Sequence, residues 1–319
     1  MAEAHQHHHS CAHEHHDHGE EGKTAENGLV TAFWLNFLFS IVELVGGVIT
    51  QSTAIVADAF HDFMDSVSIG LAILLEKFSK KKRTDRYSYG YKRFSMLSAL
   101  GLSLFLLIGA IGLVIGAYHS FIEPKEIKSG GMILLAVVGL IVNGAAVLRV
   151  KQGGGGHHHH HHGGGHNHNS RSIMLHLLED VLGWAAVLVG AVVMYFTGWY
   201  WIDGVLTLGI AAFIGYNAWK NLSGIVEVML QSIPRNVDMA QLSQDLARVE
   251  GVCGVHDLHV WSLDGSYNVG SVHAVLTPQY QALESDRRDQ IIRLMKQHNI
   301  HHPTVQMETQ GQTCGFEQC

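Results

Sequence analysis

The sequence predicts a membrane α-helical protein with six transmembrane helices, followed by a C-terminal cytoplasmic α+β domain. Charged residues make up 15% of its 319 residues, whereas globular proteins average about 25%. Six stretches are apolar over the length that crosses a bilayer, which is about 20 residues of helix. After residue 222 the sequence becomes mixed polar and apolar, and this change indicates a separate domain.

The apolar stretches follow a polar segment, residues 1–28, which we expect to be a His-rich cytoplasmic tail. Stretches of this length are uncommon in soluble cores, although a large buried helical bundle is the alternative interpretation. Together the six stretches form the predicted transmembrane domain, residues 29–222. They lie at 29–49, 54–76, 94–118, 131–150, 172–196 and 202–222.

Positive charge in the connections predicts the orientation of these helices. Residues 77–93 contain eight Lys or Arg, whereas residues 119–130 contain two, Lys125 and Lys128. Because Lys and Arg concentrate in cytoplasmic loops, the connection 77–93 is expected in the cytoplasm. With six spans, both termini and the loop 151–171 then also lie there.

Histidine is unusually abundant, with 25 His against 21 Lys plus Arg. Sixteen of them lie in two tracts, the N-terminal tail and the loop 151–171, which includes the run 157–162. Histidine is the commonest metal ligand, so the tracts indicate weak collection of metal near a pore entrance. An engineered tag, or a dispensable buffer, is the alternative for these tracts.

Two further histidines lie inside apolar stretches, each four residues before an aspartate. His61 pairs with Asp65, and His176 pairs with Asp180. Residues i and i+4 share a helix face, so each pair directs two ligand atoms to one place. Two facing helices would supply the four ligands of a tetrahedral Zn²⁺ site. The alternative is that each pair is a hydrogen-bonded couple that links helices.

Other polar residues accompany these pairs in the apolar stretches. Ionisable side chains inside a membrane usually face a cavity, a partner or an ion. The residues of a first group lie beside the pairs, and we expect them to support the ligands, to lie at a pore mouth or to link helices. The residues of a second group either line a polar pathway or form hydrogen bonds between helices. The first group is Asp58, Asp62 and Glu179; the second is Asn36, Glu43 and Asn143.

The C-terminal region, residues 223–309, predicts a small α/β domain with two helices on a three-stranded sheet. Helical periodicity covers 238–251 and 285–299. Residues 254–276 alternate in two runs around Asp264-Gly265, which is a hairpin signal. Residues 302–309 predict an edge strand. Residues 310–319 form a Cys-containing tail.

In combination, these features resemble the cation diffusion facilitator family of zinc transporters. The resemblance rests on the spans, the paired HxxxD motifs, YSYGYKRFSMLSAL, the His-rich loop and VHDLHVWSL, over about 29–309. It implies a homodimer that exports Zn²⁺ against inward proton movement. The implied transport ligands are His61, Asp65, His176 and Asp180. Members with Asp at the first position are broader in metal choice, so His61 favours Zn²⁺ over Cd²⁺ or Mn²⁺.

The resemblance also implies a metallochaperone-like, ferredoxin-like cytoplasmic domain that meets its dimer mate and binds zinc as a structural or regulatory ion. His259, three residues after His256 in the same predicted strand, is a further candidate. The CxxxxC spacing of the two tail cysteines is wider than the CxxC of common zinc sites. Exposed histidines without a metal are the alternative. The implied ligands are His256, His273, His302 and Glu308, with Cys314 and Cys319 as further candidates.

The predicted function is therefore proton-coupled efflux of Zn²⁺ from the cytoplasm, with no enzymatic reaction and no catalytic cofactor. A net charge of −7 does not favour a nucleic-acid partner. A metal sensor and a passive zinc channel are the alternatives, whereas an intramembrane zinc hydrolase would need a motif such as HExxH, which does not occur. The plasma membrane or a bacterial inner membrane is the expected location, and an organelle membrane fits the same topology.

Overall fold

The computed structural model describes residues 21–79, 83–123, 125–153 and 166–311. Within these ranges, side chains are not described at 21–32, 72, 73, 76, 77, 79, 149–153 and 166–177. The first part of the chain forms six long helices, here called the membrane bundle. They are α1 (Glu21–Thr50), α2 (Thr53–Ser79), α3 (Phe94–Ile122), α4 (Ser129–Gly153), α5 (His166–Thr197) and α6 (Trp201–Met229).

Each predicted span lies within one of these helices, but the helices extend further. α1 already includes Glu21, the first described residue, inside the expected N-terminal tail, where Glu, Lys and Ala favour helix. α6 continues to Met229, past the end of its apolar stretch.

Among the side chains that the structure describes, five helical segments are long and apolar enough to cross a membrane. α2 is not among them, because Thr53–Gly70 contains the aspartates at positions 58, 62 and 65. The polar residues of interest thus lower the hydropathy of the helix that carries them. The five segments are Phe33–Thr50, Phe94–Ile122, Ser129–Leu148, Leu178–Thr197 and Trp201–Met229.

The bundle is held by pairs of adjacent helices and presents apolar side chains outward. α1 packs against α2, α4 against α5, and α3 against α6. Trp184 of α5 is 1% exposed and packs with Ala54 and Met132 in the central core. In contrast, Ile108 is 68% and Phe196 is 80% exposed, and outward side chains of this kind suit a lipid environment.

One end of the bundle contains the short connections between α1 and α2 and between α5 and α6. The α3–α4 connection lies at the same end, because Lys128 N–H donates to the Thr50 carbonyl, 3.0 Å away. We call this the distal end. The α2–α3 loop and the exit of α6 lie at the opposite, proximal end.

The C-terminal domain confirms the predicted small α/β arrangement. It contains a three-stranded sheet in the order β1-β2-β3, with β1–β2 antiparallel and β2–β3 parallel. Asp238 caps the first helix by accepting from the Ala240 and Gln241 N–H groups, both at 3.0 Å. The elements are α7 (Met239–Ala247), β1 (Val252–Ser262), β2 (Asn268–Leu276), a 3₁₀ helix (Pro278–Leu283), α8 (Glu284–Gln297) and β3 (His302–Thr309).

Apolar residues of both helices fill the space over the sheet. Leu242 and Leu246 of α7 and Ile291 and Met295 of α8 are each at most 1% exposed, and they pack with Val272 of β2. This core fixes the three strands relative to one another, and the strands carry the predicted metal ligands of the domain.

Candidate metal centres

The first predicted pair lies on the inward side of α2. His61 Nε2 is 3.7 Å from Asp65 Oδ2, and the two side chains are 18% and 23% exposed. The His61 ring meets the ring of Phe213 on α6 edge to face, with centroids 6.0 Å apart. The pair is therefore partly enclosed, as expected for ligands inside a membrane bundle.

The second predicted pair lies on α5, which packs against the same region of α2. Asp180 is partly buried and interacts electrostatically with Asp58 and Asp62 of α2. His176 lies one turn earlier on α5, and its side chain is outside the described residues. Three of the four predicted ligands are therefore described, and α2 and α5 bring them into one region.

Further carboxylates are buried beside these residues. Glu43 of α1 is 1% exposed, Asp62 is 5% and Asp58 is 9%. Glu43 interacts electrostatically with both aspartates, and Asn36 Nδ2 donates to the Asp62 carbonyl, 3.0 Å away. Glu179, in contrast, is exposed. Buried carboxylates of α1 and α2 therefore lie together, and Asn36 links the same two helices by a hydrogen bond.

A compact cluster of ligands lies in the C-terminal domain. His256 and His273 pair directly across β1 and β2, with ring centroids 5.2 Å apart. Glu308 of β3 reaches both rings, with Oε2 3.2 Å from His256 Nε2 and Oε1 2.9 Å from His273 Nδ1. The ligand atoms of the three residues lie within 4.8 Å of one another. Two imidazoles and a carboxylate are a common partial ligand set for Zn²⁺.

Other predicted ligands of this domain lie elsewhere. His302 is exposed at the far end of β3, beside Val269, where its ring meets Tyr89 with centroids 5.9 Å apart. The parallel register therefore separates it from Glu308. Cys314 and Cys319 lie outside the described residues.

Sequence reasoning missed Asp257 as part of this cluster. It has a φ of +50° in an irregular part of β1, between His256 and His259. Asp257 Oδ1 is 2.8 Å from His259 Nε2, and Oδ2 is 3.5 Å from His273 Nε2. Strand alternation places adjacent residues on opposite faces, so the pattern gave no signal that a bulge brings Asp257 to the histidines.

Comparison with known proteins decides the family. A family model described as the cation efflux transmembrane domain matches residues 29–230, and one described as the cytoplasmic domain of cation efflux proteins matches residues 234–310. The chain is a cation diffusion facilitator. It is an integral membrane protein of a transporter family, with a C-terminal cytoplasmic domain.

Curated relatives match this cation diffusion facilitator over most of its length. It is 29% identical to the cadmium, cobalt and zinc/H(+)-K(+) antiporter of Bacillus subtilis, over 93% of this chain and 92% of the relative. It is 30% identical to the metal cation efflux system protein CzcD of Cupriavidus metallidurans, over 92% and 89%. It is 31% identical to the zinc transporter ZitB of Escherichia coli, over 88% and 87%.

In this cation diffusion facilitator the α2–α3 loop contacts the C-terminal domain. Lys92 Nζ lies 3.1 Å from the centroid of the Tyr267 ring, at the end of the β1–β2 hairpin. Asp264 shapes that hairpin, because its carboxylate accepts from the N–H groups of Ser266 and Tyr267, at 2.9 and 2.7 Å. Burial raises the pKa of Asp264, but these hydrogen bonds and Lys92 outweigh it, so the pKa lies below its ordinary value. The loop thus joins the helix carrying His61 to the cytoplasmic sheet.

Proposed function

We propose that this protein exports Zn²⁺ from the cytoplasm in exchange for protons. Metal efflux follows from the family, whereas the ion and its coupling are proposals. The names of the relatives include zinc, cadmium, cobalt and protons. The observation that carries the proposal is the His61–Asp65 pair, partly enclosed on α2 and facing the region of α5 that contains Asp180.

In the proposed site, His61, Asp65, His176 and Asp180 bind the transported ion. Zinc binds neutral imidazole and ionised carboxylate, so protons compete with the metal for the same atoms. Zinc binding from the cytoplasm displaces protons. After the helices rearrange, protons from the other side displace zinc, as in alternating access around a site near the bilayer midplane.

The proposed topology has six spans. In it, α2 crosses the bilayer together with the five apolar segments, although α2 is more polar than they are. Both termini and the His-rich loop then lie in the cytoplasm, on the side of the C-terminal domain. The contact between the α2–α3 loop and that domain supports this arrangement. The plasma membrane or a bacterial inner membrane is the proposed location. The family of cytoplasmic domains to which residues 234–310 belong supports a homodimer.

A second zinc ion, structural or regulatory, is proposed at His256, His273 and Glu308. The ligand atoms of these residues are close enough to share one ion. The set leaves one position of a tetrahedron to another ligand. Cys314 and Cys319 remain predicted contributors.

The transport site is tested by zinc uptake into proteoliposomes under a pH gradient. Asp65→Ala and Asp180→Ala are each expected to lower the uptake rate at least tenfold, because each removes a metal ligand. Glu179→Ala is the matched control, since Glu179 is the exposed neighbour of Asp180. Wild-type transport by Asp65→Ala and Asp180→Ala would show that the site is assigned wrongly.

A further inference from the structure

Asp203, in the first turn of α6, is a charged residue buried at the distal end of the bundle. It is 1% exposed. Its Oδ1 accepts a hydrogen bond from Ser52 Oγ at 2.6 Å, and its Oδ2 accepts from Thr53 N–H at 2.7 Å and Thr53 Oγ1 at 2.6 Å. The Ala54 N–H group also points at Oδ1, 3.3 Å away. One carboxylate of α6 therefore binds three consecutive residues at the start of α2.

These bonds supply the cap for the start of α2. The first N–H groups of a helix have no partner within the helix, and the N-terminus favours negative charge. A cap usually comes from the residue just before the helix. Here Ser52 Oγ accepts from the Ile55 N–H, at 3.2 Å, while donating to Asp203. Ser52 therefore caps α2 from the usual position, and Asp203 of α6 supplies the acceptors for the Thr53 and Ala54 N–H groups.

Hydroxyl groups extend the contact to α3. Thr53 Oγ1 lies 2.8 Å from Thr207 Oγ1 of α6 and 3.4 Å from Ser120 Oγ of α3. Thr207 is fully buried. At the distal end, α2 is therefore joined by polar contacts to α3 and α6, which pack against each other along the bundle.

This network closes one side of the transport helix. Asp65, toward the proximal end of α2, has a side chain 23% exposed. Toward the distal end, Ala54 and Ile55 are fully buried, and Asp58 is 9% exposed. An ion at the His61–Asp65 pair thus meets packed protein in the distal direction in this structure.

We propose that Asp203 is a gate residue of the transport cycle. It closes the distal end in the state seen here, and its bonds to the start of α2 must break for the ion to leave on that side. When the helix ends separate, water takes over the hydrogen bonds of the carboxylate and of the exposed N–H groups. The inference rests on the proposed transport function and adds where the distal gate lies.

The test is a reversible cross-link across the gate. Thr53→Cys and Thr207→Cys are introduced together in a chain whose native cysteines are replaced by Ser. Their hydroxyl oxygens lie 2.8 Å apart, so the two thiols are placed to form a disulfide. We expect oxidation to lower zinc uptake into proteoliposomes at least tenfold, and reduction to restore the rate of the same variant before oxidation.

A matched cross-link within the α3–α6 pair is the control. A Cβ at Gly215 would lie 3.6 Å from the Ala110 Cβ, close to the mean of about 3.8 Å for disulfides. Oxidised Ala110→Cys/Gly215→Cys is expected to transport like its reduced form, because α3 and α6 stay together.

Zinc binding to the detergent-purified protein completes the experiment. The oxidised gate variant is expected to bind zinc like its reduced form, which shows that the site is intact. Uptake by the oxidised gate variant at its reduced rate would overturn the gate proposal, as would loss of zinc binding on oxidation. Absence of zinc uptake by the wild type would instead contradict the proposed function.

Discussion

His61 Nε2 and Asp65 Oδ2 lie 3.7 Å apart on one face of α2, one helical turn from each other. This separation leaves room for an ion bound by both side chains. Because the spacing is set by the helix itself, the pair keeps its geometry when α2 moves as a rigid body. We expect the identity of its first member to influence which ion the site prefers.

His61→Asp is expected to broaden metal choice. Imidazole suits zinc, whereas oxygen ligands suit harder ions such as Mn²⁺. In proteoliposomes, the ratio of Mn²⁺ to Zn²⁺ transport should rise at least tenfold. His119→Asp, an exposed change on α3, should leave the ratio unchanged. An unaltered ratio in His61→Asp would show that this position does not select the ion.

Glu308→Ala is expected to remove one zinc ion per protomer from the cytoplasmic domain. Glu308 contacts both histidines of the cluster, at 3.2 and 2.9 Å, so its loss leaves two ligands. The measurement is the metal content of the full chain after dialysis, in a background with His61→Ala and Asp65→Ala. Glu284→Ala, exposed at the start of α8, is the control. Equal zinc content in the two variants would contradict the assignment.

Lys92→Gln is expected to loosen the contact between the α2–α3 loop and the cytoplasmic sheet. A cation over an aromatic ring contributes about 1 kcal/mol, so amide hydrogen exchange around Tyr267 should become roughly fivefold faster. Arg86→Gln is the control in the same loop, because its guanidinium lies 5.8 Å from the ring of Tyr87, within the loop itself. Unchanged exchange in Lys92→Gln would mean that the loop does not hold the hairpin.

Asp264→Ala is expected to destabilise the C-terminal domain at neutral pH but not at low pH. The hydrogen bonds to the carboxylate stabilise the hairpin by about 1 kcal/mol. Because the folded pKa lies below its ordinary value, this stability is present above that ordinary value and is lost as pH falls through the folded pKa. Pulse proteolysis of the full chain in urea measures the difference in domain stability between Asp264→Ala and the wild type. An acid-active protease is used at low pH. A pH-independent difference would exclude the carboxylate charge as its source.

Local patterns predicted much of this molecule. The spacing of His61 and Asp65 places both on one helix face, and alternation around Asp264 predicts the hairpin, because both features depend on near neighbours in the chain. The pairing of His256 with His273 depends in addition on the register shift between His256 and His259, which the pattern did not indicate.

Such patterns could not predict contacts between residues that are distant in the sequence. Asp203 binds Thr53 across 150 residues, and no periodicity encodes that meeting. Similarly, β3 joins the sheet through a helical crossover, so no periodicity indicated that Glu308 reaches the histidines. The family resemblance implied Glu308 as a ligand, but it also implied His302, which lies at the other end of the strand. Asp257 joined the cluster through a bulge that breaks strand alternation.

Export of zinc in exchange for protons requires that metal movement is coupled to proton movement. The most direct measurement is zinc accumulation in proteoliposomes that have an acidic lumen and contain a low-affinity fluorescent zinc indicator, which reports free zinc without trapping it. We predict accumulation against the zinc gradient, with lumenal alkalinisation at the same time, and loss of both when an ionophore collapses the pH difference. Zinc entry only down its own gradient, at a rate unaffected by the ionophore, would contradict the account and indicate a passive channel.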